Sequence, residues 1–145
     1  MEPDKCCESG CIPCERDPDG QEPLDLCNYI GGEFVCHSGD EWINVLEPAT
    51  GHRFARAPLS GESDVGDAVS AARQAQPAWG ALSHSERADW LDRIADALVA
   101  RYEDVAALES RDTGKPISLA RDVDAQRSVS NFRFFAGMLR EHEEG

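Results

Sequence analysis

The chain of 145 residues has little basic charge, and lysine is especially rare in it. Its 14 basic residues include only two lysines, Lys5 and Lys115, and they face 28 acidic residues, which gives a formal net charge of -14. A surface this acidic repels both the phosphates of nucleic acids and anionic membrane headgroups. We therefore expect neither nucleic acid nor a membrane as a partner.

Long apolar runs and phosphate-binding motifs are also missing. No stretch approaches the roughly 20 apolar residues of a membrane span, and the acidic N-terminus differs from the basic and then apolar start of a secretory signal. No Gly-x-Gly-x-x-Gly motif occurs anywhere in the sequence, so the dinucleotide fingerprint is absent. With 41% hydrophobic residues, the sequence predicts one globular domain in the cytoplasm.

Cysteine, by contrast, is concentrated near the N-terminus. Four of the six cysteines lie within nine positions, namely Cys6, Cys7, Cys11 and Cys14. In a reducing cytosol such clusters indicate metal or redox chemistry more often than structural disulfides, and the Cys-x-x-Cys spacing lets two sulfurs converge on one ion. We expect a zinc or iron–sulfur site, with a solvated, oxidation-prone tail as the alternative. The other two cysteines flank a predicted hairpin.

The segment that contains this cluster is expected to be a disordered tail. After the last clustered cysteine the composition turns to Asp, Gly, Gln, Glu and Pro, which bury too little apolar surface to offset the cost of ordering the backbone. Residues 6–17 resemble the short "oxidoreductase-like" N-terminal motif, Cys-Cys-x-x-Gly-Cys-x-x-Cys followed by an acidic residue. We divide the chain into a Cys-rich tail and linker, residues 1–23, and a folded part, residues 24–145.

The folded part begins with strand patterns and continues with helix patterns. Residues 29–35 predict a hairpin around a Gly-Gly turn. Residues 42–46 and 53–57 predict a second hairpin, because the segment between them carries the proline and the glycine of a chain reversal.

Four helices are expected after the hairpins. The first is capped by Ser63 and ended by Pro77, and the second opens with a capping box formed by Ser83 and Glu86. The third covers residues 102–111, turns Val105 and Leu108 inward and stops before a glycine that supplies a left-handed cap. The fourth covers residues 118–141. Together these patterns predict an α/β fold.

Five motifs in this region resemble landmarks of the aldehyde dehydrogenase superfamily, in the family's order and spacing. They are Tyr29-Ile30-Gly31-Gly32-Glu33-Phe34, Glu47-Pro48-Ala49-Thr50-Gly51, Ala68-Val69-Ser70-Ala71-Ala72-Arg73 with Trp79, Ser85-Glu86-Arg87 with residues 91–98, and Glu109-Ser110-Arg111-Asp112-Thr113-Gly114-Lys115-Pro116. Residues 127–136 are most similar to the branch that oxidises 2-aminomuconic and 2-hydroxymuconic semialdehydes in the breakdown of aromatic compounds.

The resemblance implies an NAD(P)-dependent oxidation in which a cysteine thiolate attacks an aldehyde and a glutamate-activated water releases the acid. In the family the groups that carry this chemistry come later in the chain than this sequence extends. We therefore assign no catalytic or cofactor-binding residue here. The fold class expected is the N-terminal part of the cofactor-binding domain, two hairpins and about four helices, truncated before the main parallel sheet. A complete enzyme would be a homo-oligomer.

Two positions carry a binding role by resemblance. Arg127 falls where the fourth helix lines the family's substrate tunnel, and its guanidinium would grip the carboxylate of a muconic-type aldehyde. The alternative is an ion pair with Asp122 or Asp124. Asp112, with backbone carbonyls near Val45 and Leu46, corresponds to a monovalent-cation site, and the alternative is a hydrogen bond to the turn before the third helix ends.

Three functions remain open from the sequence. The first is an N-terminal fragment of an aldehyde dehydrogenase that is inactive alone and exposes a large apolar face. The second is a small metal- or redox-responsive module that acts through the clustered cysteines. The third is a regulatory partner of a full-length dehydrogenase.

Overall fold

The computed structural model describes residues 23–35, 39 and 41–141. Its strands are β1 Leu24–Asp25, β2 Asn28–Ile30, β3 Glu33–Val35, β4 Trp42–Leu46 and β5 Arg53–Pro58. The helices are α1 Glu62–Gly80, α2 His84–Ala100, α3 Tyr102–Thr113, α4 Ile117–Leu119 and α5 Gln126–Glu141, with a π-helical turn at Ala120–Ala125 between the last two. The described part of the chain divides into two compact units, one before and one after the boundary between residues 74 and 75, which lies inside α1.

Both predicted hairpins are present in the first unit. β2 pairs antiparallel with β3, so that Tyr29 lies opposite Phe34, and the turn residues Gly31 and Gly32 have φ values of 63° and 91°. Such positive φ values are accessible to glycine at no steric cost, which explains the Gly-Gly sequence. β4 pairs antiparallel with β5, as expected.

The pairing of β1 with β5 is not predicted by the sequence pattern. The two-residue strand Leu24–Asp25 runs parallel to β5 and completes a sheet of order β1-β5-β4. The Asp25 carboxylate accepts hydrogen bonds from Arg56 Nε at 2.5 Å and Nη2 at 2.8 Å. The Arg56 guanidinium also lies 4.3 Å from the centre of the Trp42 ring. An ion pair thus attaches the first strand to the sheet.

Helix α1 differs from its prediction at both ends. It begins at Glu62, so Ser63 lies within the first turn, and the cap is formed instead by Asp64 Oδ2, which accepts the Gly61 N–H at 2.9 Å. Pro77 does not end the helix, which continues to Gly80. A proline removes one backbone donor, and here only a single turn follows it.

Helices α2 and α3 start and end largely as expected. The capping box of α2 is confirmed, because Ser83 Oγ accepts the Glu86 N–H at 3.2 Å and Glu86 Oε2 accepts the Ser83 N–H at 2.8 Å. Helix α3 runs two residues beyond its predicted end and stops at Gly114, whose φ of 73° gives the left-handed cap. Leu108, predicted to face inward, is 60% exposed.

Small side chains form the interior of the second unit. Helices α2 and α5 pack against each other, and their buried residues are Ala88, Ala95, Val129 and Ala136. Ion pairs flank this contact: Arg140 binds Asp89 at 2.7 Å and Asp92 at 2.8 Å, and Arg133 binds Asp96 at 3.2 Å. The later arginine of α5 pairs with the earlier aspartates of α2, so the two helices run antiparallel.

Many large apolar side chains of the described residues remain on the surface. Twenty of them are at least 37% exposed, whereas none of the largest side chains is fully buried. These residues are spread over both units, and the expectation of one large apolar face stays a prediction. None of the helices in the described ranges is long and apolar enough to cross a membrane.

Candidate functional site

The helical run after Pro116 changes its pitch at the π turn, Ala120–Ala125. Ala120 and Ala125 are both buried, with exposed fractions of 0% and 3%, and the turn contacts α3. In an α-helix, residues five apart are separated by about 140° around the axis. The wider π turn brings both alanines to one side. Single π turns inside α-helices are frequent at functional sites.

Lys115 connects the end of α3 to the π turn. Its ammonium donates hydrogen bonds to Glu109 Oε1 at 3.2 Å and to Asp124 Oδ2 at 2.9 Å. Both hydrogen bonds raise the pKa of Lys115 above its usual value, and the bond to Asp124 has the larger effect. The Ser110 hydroxyl donates to the Lys115 carbonyl at 2.6 Å. The lysine is therefore held through both its side chain and its backbone.

A second set of contacts holds the other end of the π turn. The Tyr102 hydroxyl donates to the Arg121 carbonyl at 2.6 Å. The Arg121 guanidinium donates to the Glu103 carboxylate from Nε at 3.0 Å and from Nη2 at 2.8 Å. These hydrogen bonds lower the pKa of Glu103 and raise the pKa of Arg121. The turn is thus attached to α3 at two points, one near each of its ends.

Arg127 lies two residues after the end of the π turn, in the first turn of α5, and its side chain is exposed. Of the two alternative partners of Arg127, Asp122 and Asp124, Asp124 binds Lys115 at 2.9 Å, and the substrate contact of Arg127 stays a prediction. Val129 is buried, and Arg127 lies about 160° from it around the helix.

Large apolar residues share the exposed side of α5 with Arg127. Phe134 and Met138 follow it by seven and eleven residues, which places all three within about 20° of one line along the helix. Phe134 is 60% exposed and Met138 is 52% exposed. We call Arg127, Phe134 and Met138 the Arg127 face. It combines one cation with two large apolar side chains.

The predicted cation site and the predicted thiol cluster both remain predictions. Asp112 is exposed near the end of α3 in the second unit, whereas Val45 and Leu46 belong to the first, so the site stays a prediction. Within residues 23–35, 39 and 41–141, no group of three or more His, Cys, Asp or Glu side chains is arranged to hold a metal ion. The clustered cysteines Cys6, Cys7, Cys11 and Cys14 lie outside these residues.

A comparison with family models identifies the larger part of the chain. Residues 34–145 match the model described as "Aldehyde dehydrogenase family". The chain belongs to the aldehyde dehydrogenase family. This confirms the resemblance on which Arg127 and Asp112 were selected.

Individual aldehyde dehydrogenases of similar sequence include two muconic semialdehyde enzymes. The 2-aminomuconic semialdehyde dehydrogenase of Mus musculus is 45% identical over 123 residues, which cover 84% of this chain and 25% of the relative. The 2-hydroxymuconic semialdehyde dehydrogenase of Pseudomonas sp. (strain CF600) is 39% identical, with 80% of this chain and 24% of the relative covered. The chain therefore spans about a quarter of the length of these enzymes.

The fold agrees with solved structures of the family. The structure of PnpE in complex with nicotinamide adenine dinucleotide matches with a TM-score of 0.78 and 38% identity, over 83% of this chain and 25% of that chain. PnpE has also been solved from Pseudomonas sp. WBC-3. The predicted α/β fold, with two hairpins and a series of helices from the front of an aldehyde dehydrogenase, is confirmed.

The sequence pattern does not predict the π turn or its contacts to Lys115 and Tyr102. Helix periodicity predicts one uninterrupted helix over residues 118–141, because an extra residue in one turn leaves the apolar pattern on each side intact. A usable signal was nevertheless present. Lys115 is one of only two lysines in the chain, and it precedes a helix segment rich in aspartate.

Proposed function

We propose that this chain is the N-terminal part of an NAD(P)-dependent aldehyde dehydrogenase that oxidises an aldehyde bearing a carboxylate, of the muconic semialdehyde type, to the corresponding acid. Family membership supports the reaction class. The names of the mouse and Pseudomonas relatives support the substrate class. The single observation that carries the substrate assignment is the Arg127 face.

The composition of this face suits an acidic, unsaturated aldehyde. A guanidinium offers two parallel N–H donors that match a carboxylate, and one of the two alternative partners of Arg127, Asp124 in the π turn, already binds Lys115. Phe134 and Met138 provide apolar surface for the carbon chain beyond the carboxylate. A simple aldehyde without a carboxylate would use only the apolar part of the face and would lose the charged contact.

The cofactor and the reacting groups are assigned to other parts of a complete enzyme. NAD(P) supplies the hydride acceptor in this chemistry. The sequence contains no glycine-rich phosphate turn, and we assign no residue of this chain to the cofactor. On this proposal the 145-residue chain is inactive alone, and the complete enzyme is a cytoplasmic homo-oligomer.

The first test is to recover the endogenous protein with an antibody against residues 29–140 and to measure its intact mass and activity. We expect a product several-fold heavier than 15.9 kDa that reduces NAD(P) in the presence of a muconic semialdehyde. A product of 15.9 kDa that neither binds nor accompanies a dehydrogenase would contradict the proposal. Co-purification of the short chain with a separate full-length dehydrogenase would favour the regulatory role.

The substrate assignment is tested by Arg127→Gln introduced into the endogenous gene, with Arg73→Gln as the matched control because Arg73 is an exposed arginine on α1. Hydrogen bonds to charged groups contribute about 1.5–3 kcal/mol, so KM for the acidic semialdehyde should rise about 10- to 150-fold. KM for a neutral aldehyde of equal chain length should change little. An equal effect on both substrates would contradict a carboxylate contact.

We propose a second function for the N-terminal segment, a zinc or iron–sulfur site formed by Cys6, Cys7, Cys11 and Cys14. It is supported by four thiols within nine positions, which are ligands that soft metals prefer. Metal analysis of protein purified without added metal should then give a stoichiometric amount of zinc or iron. Replacement of all four by serine should remove it, whereas Cys27→Ser should not. Fully titratable thiols and no metal would exclude the site.

A further inference from the structure

Lys115 is not part of the Arg127 face, but its contacts reach the π turn that precedes Arg127. It sits between α3 and α4, and its ammonium bridges Glu109 on α3 and Asp124 in the π turn. Arg127 follows Asp124 by three residues. The Ser128 hydroxyl, next to Arg127, donates to the Asp124 carbonyl at 2.9 Å. A series of contacts therefore leads from α3 through Lys115 and the π turn to Ser128, the residue that follows Arg127.

We propose that Lys115 is a positioning residue that keeps the π turn against α3 and thereby fixes the direction in which the Arg127 side chain extends from α5. The inference deepens the proposed function and rests on it only for the identity of the ligand that Arg127 binds. The claim that Lys115 holds the π turn against α3 does not depend on that ligand.

The geometry of the helical run gives the first reason. The π turn accommodates one residue more than an α-helical turn, and one residue corresponds to about 100° of rotation around the axis. Val129 and Ala136 are buried where α5 packs on α2, so α5 cannot rotate by this amount without losing that contact. If the π turn closed to an α-helical one, the mismatch would have to be absorbed between α4 and Val129. Arg127 lies in that interval.

Electrostatics gives the second reason. The Lys115 ammonium is the cation between two carboxylates, at 3.2 Å from Glu109 and 2.9 Å from Asp124. Without it, the two negative charges face each other across the contact between α3 and the π turn, and like charges repel. An arginine at position 115 preserves the charge, whereas a methionine preserves only the length of the side chain. The two substitutions therefore separate the charge from the packing.

The first experiment measures amide hydrogen exchange in the full 145-residue chain by mass spectrometry at low micromolar concentration. We compare Lys115→Met, Lys115→Arg and, as the matched control, Lys5→Met, which removes the other lysine. Lys115→Met should accelerate exchange in peptides covering residues 117–128 by about threefold to tenfold, because a partly exposed ion pair contributes modestly. Lys115→Arg should restore slow exchange, and Lys5→Met should leave it unchanged.

The exchange pattern tests whether Lys115 holds the π turn against α3. If Lys115→Met leaves residues 117–128 as protected as in the unmodified chain, the inference is overturned. Equal acceleration in α2 would show a general loss of stability and would also overturn it. Should Lys115→Met unfold the chain, Glu109→Gln provides the milder variant, since it removes one of the two bonds, and it must give a smaller acceleration confined to the same residues.

The second experiment reads the consequence at Arg127 in the endogenous enzyme. Lys115→Met should raise KM for a muconic semialdehyde at least threefold while KM for a neutral aldehyde of equal length and kcat for both stay within twofold, and Lys115→Arg should restore the KM. A purely structural lysine would lower kcat for both substrates, which would overturn the inference. If Arg127→Gln leaves the acidic substrate's KM unchanged, the proposed function fails, and the exchange experiment still decides whether Lys115 holds the turn.

Discussion

Replacement of Asp25 by asparagine should detach β1 from the sheet. Arg56 is only 7% exposed, and the Asp25 carboxylate accepts hydrogen bonds from its Nε at 2.5 Å and its Nη2 at 2.8 Å. Asp25→Asn keeps one oxygen acceptor but removes the negative charge and the bidentate geometry. A buried guanidinium would then face a neutral amide.

The size of the effect follows from the burial of the pair. Breaking a buried ion pair by removing one partner costs about 3–5 kcal/mol. The Asp25 side chain is 17% exposed and asparagine still accepts one hydrogen bond, so we expect about 2–3 kcal/mol. The stacking of Arg56 on Trp42 is not affected directly, which keeps the loss below the full value.

Native-state hydrogen exchange at the Leu26 amide is a direct assay, because this N–H donates to the Arg56 carbonyl at 2.9 Å. A loss of 2–3 kcal/mol corresponds to exchange that is faster by about 30- to 150-fold. Asp104→Asn is the control, since it removes the partner of an exposed ion pair with Arg101, and it should leave Leu26 unchanged. Acceleration of less than about threefold, or strict additivity of Asp25→Asn and Arg56→Met in the double variant, would refute the reasoning.

Three further predictions concern the second unit. The pKa of Glu86 is lowered because its carboxylate accepts the backbone N–H and then the hydroxyl of Ser83; its contribution to the stability of α2 is therefore present above the unfolded pKa and is lost as the pH falls through the lower, folded one. Glu86→Gln should flatten the acid titration of helical ellipticity, and an unchanged titration would contradict this. Ala136→Leu should destabilise the contact between α2 and α5 by about 1–3 kcal/mol through overpacking. Gly137→Ala, whose new methyl group would meet no atom within 4 Å, should instead stabilise α5 by about 0.5–1 kcal/mol. Denaturant titrations measure both changes in the free energy of unfolding, and two changes of the same sign would contradict the packing of α5 on α2. If Asp112 binds a monovalent cation, Asp112→Asn should abolish any rise of the endogenous enzyme's melting temperature with added potassium or sodium chloride relative to tetramethylammonium chloride, and the same cation-specific rise in the variant would exclude the site.

Local rules predict the parts of this fold that depend on neighbouring residues. The Gly31-Gly32 turn and the capping box of Ser83 and Glu86 are encoded within four residues each, so the sequence indicates them directly. The left-handed cap at Gly114 is of the same kind. The inferred family then extends these local elements into a fold, because five motifs in register constrain the order of strands and helices together.

Features that depend on distant partners could not be predicted in this way. The parallel pairing of β1 with β5 joins residues about 30 positions apart, and two residues of strand carry no periodicity. Ser63 and Pro77 mislead for a related reason: their intrinsic preferences favour a boundary, but Asp64 supplies the cap and one turn of helix tolerates a missing donor. Leu108 is placed outside because the apolar face of α3 is narrower than its sequence suggests, with Ala106 as the buried residue.

In the candidate site, too, features that depend on distant partners could not be predicted from the sequence. The substrate contact of Arg127 rests on the family resemblance and stays a prediction, whereas the binding of Asp124 by Lys115, nine residues before it, is visible only in the structure. The ion pairs of Lys115 with Asp124 and of Arg121 with Glu103 both involve residues of the π turn and partners distant in sequence. The apolar periodicity of 3.6 residues, by which helices are predicted, does not indicate where a π turn adds one residue.

Stability and recognition are coupled in α5 by its register. The helix packs on α2 through the small side chains of Val129 and Ala136, and this orientation necessarily turns Phe134 and Met138 outward beside Arg127. Burial of a phenylalanine or methionine would stabilise the chain by about 1.5–3 kcal/mol each, so their exposure is costly unless the face contacts something. The π turn sets this register, since one residue fewer would require either a rotation of the helix by about 100°, which would break its packing on α2, or an adjustment of the residues between α4 and Val129, where Arg127 lies. A substitution that relaxes the turn therefore changes both the packing on α2 and the surface offered to a ligand, and the contacts of Lys115 to Glu109 and Asp124 act on both properties at once.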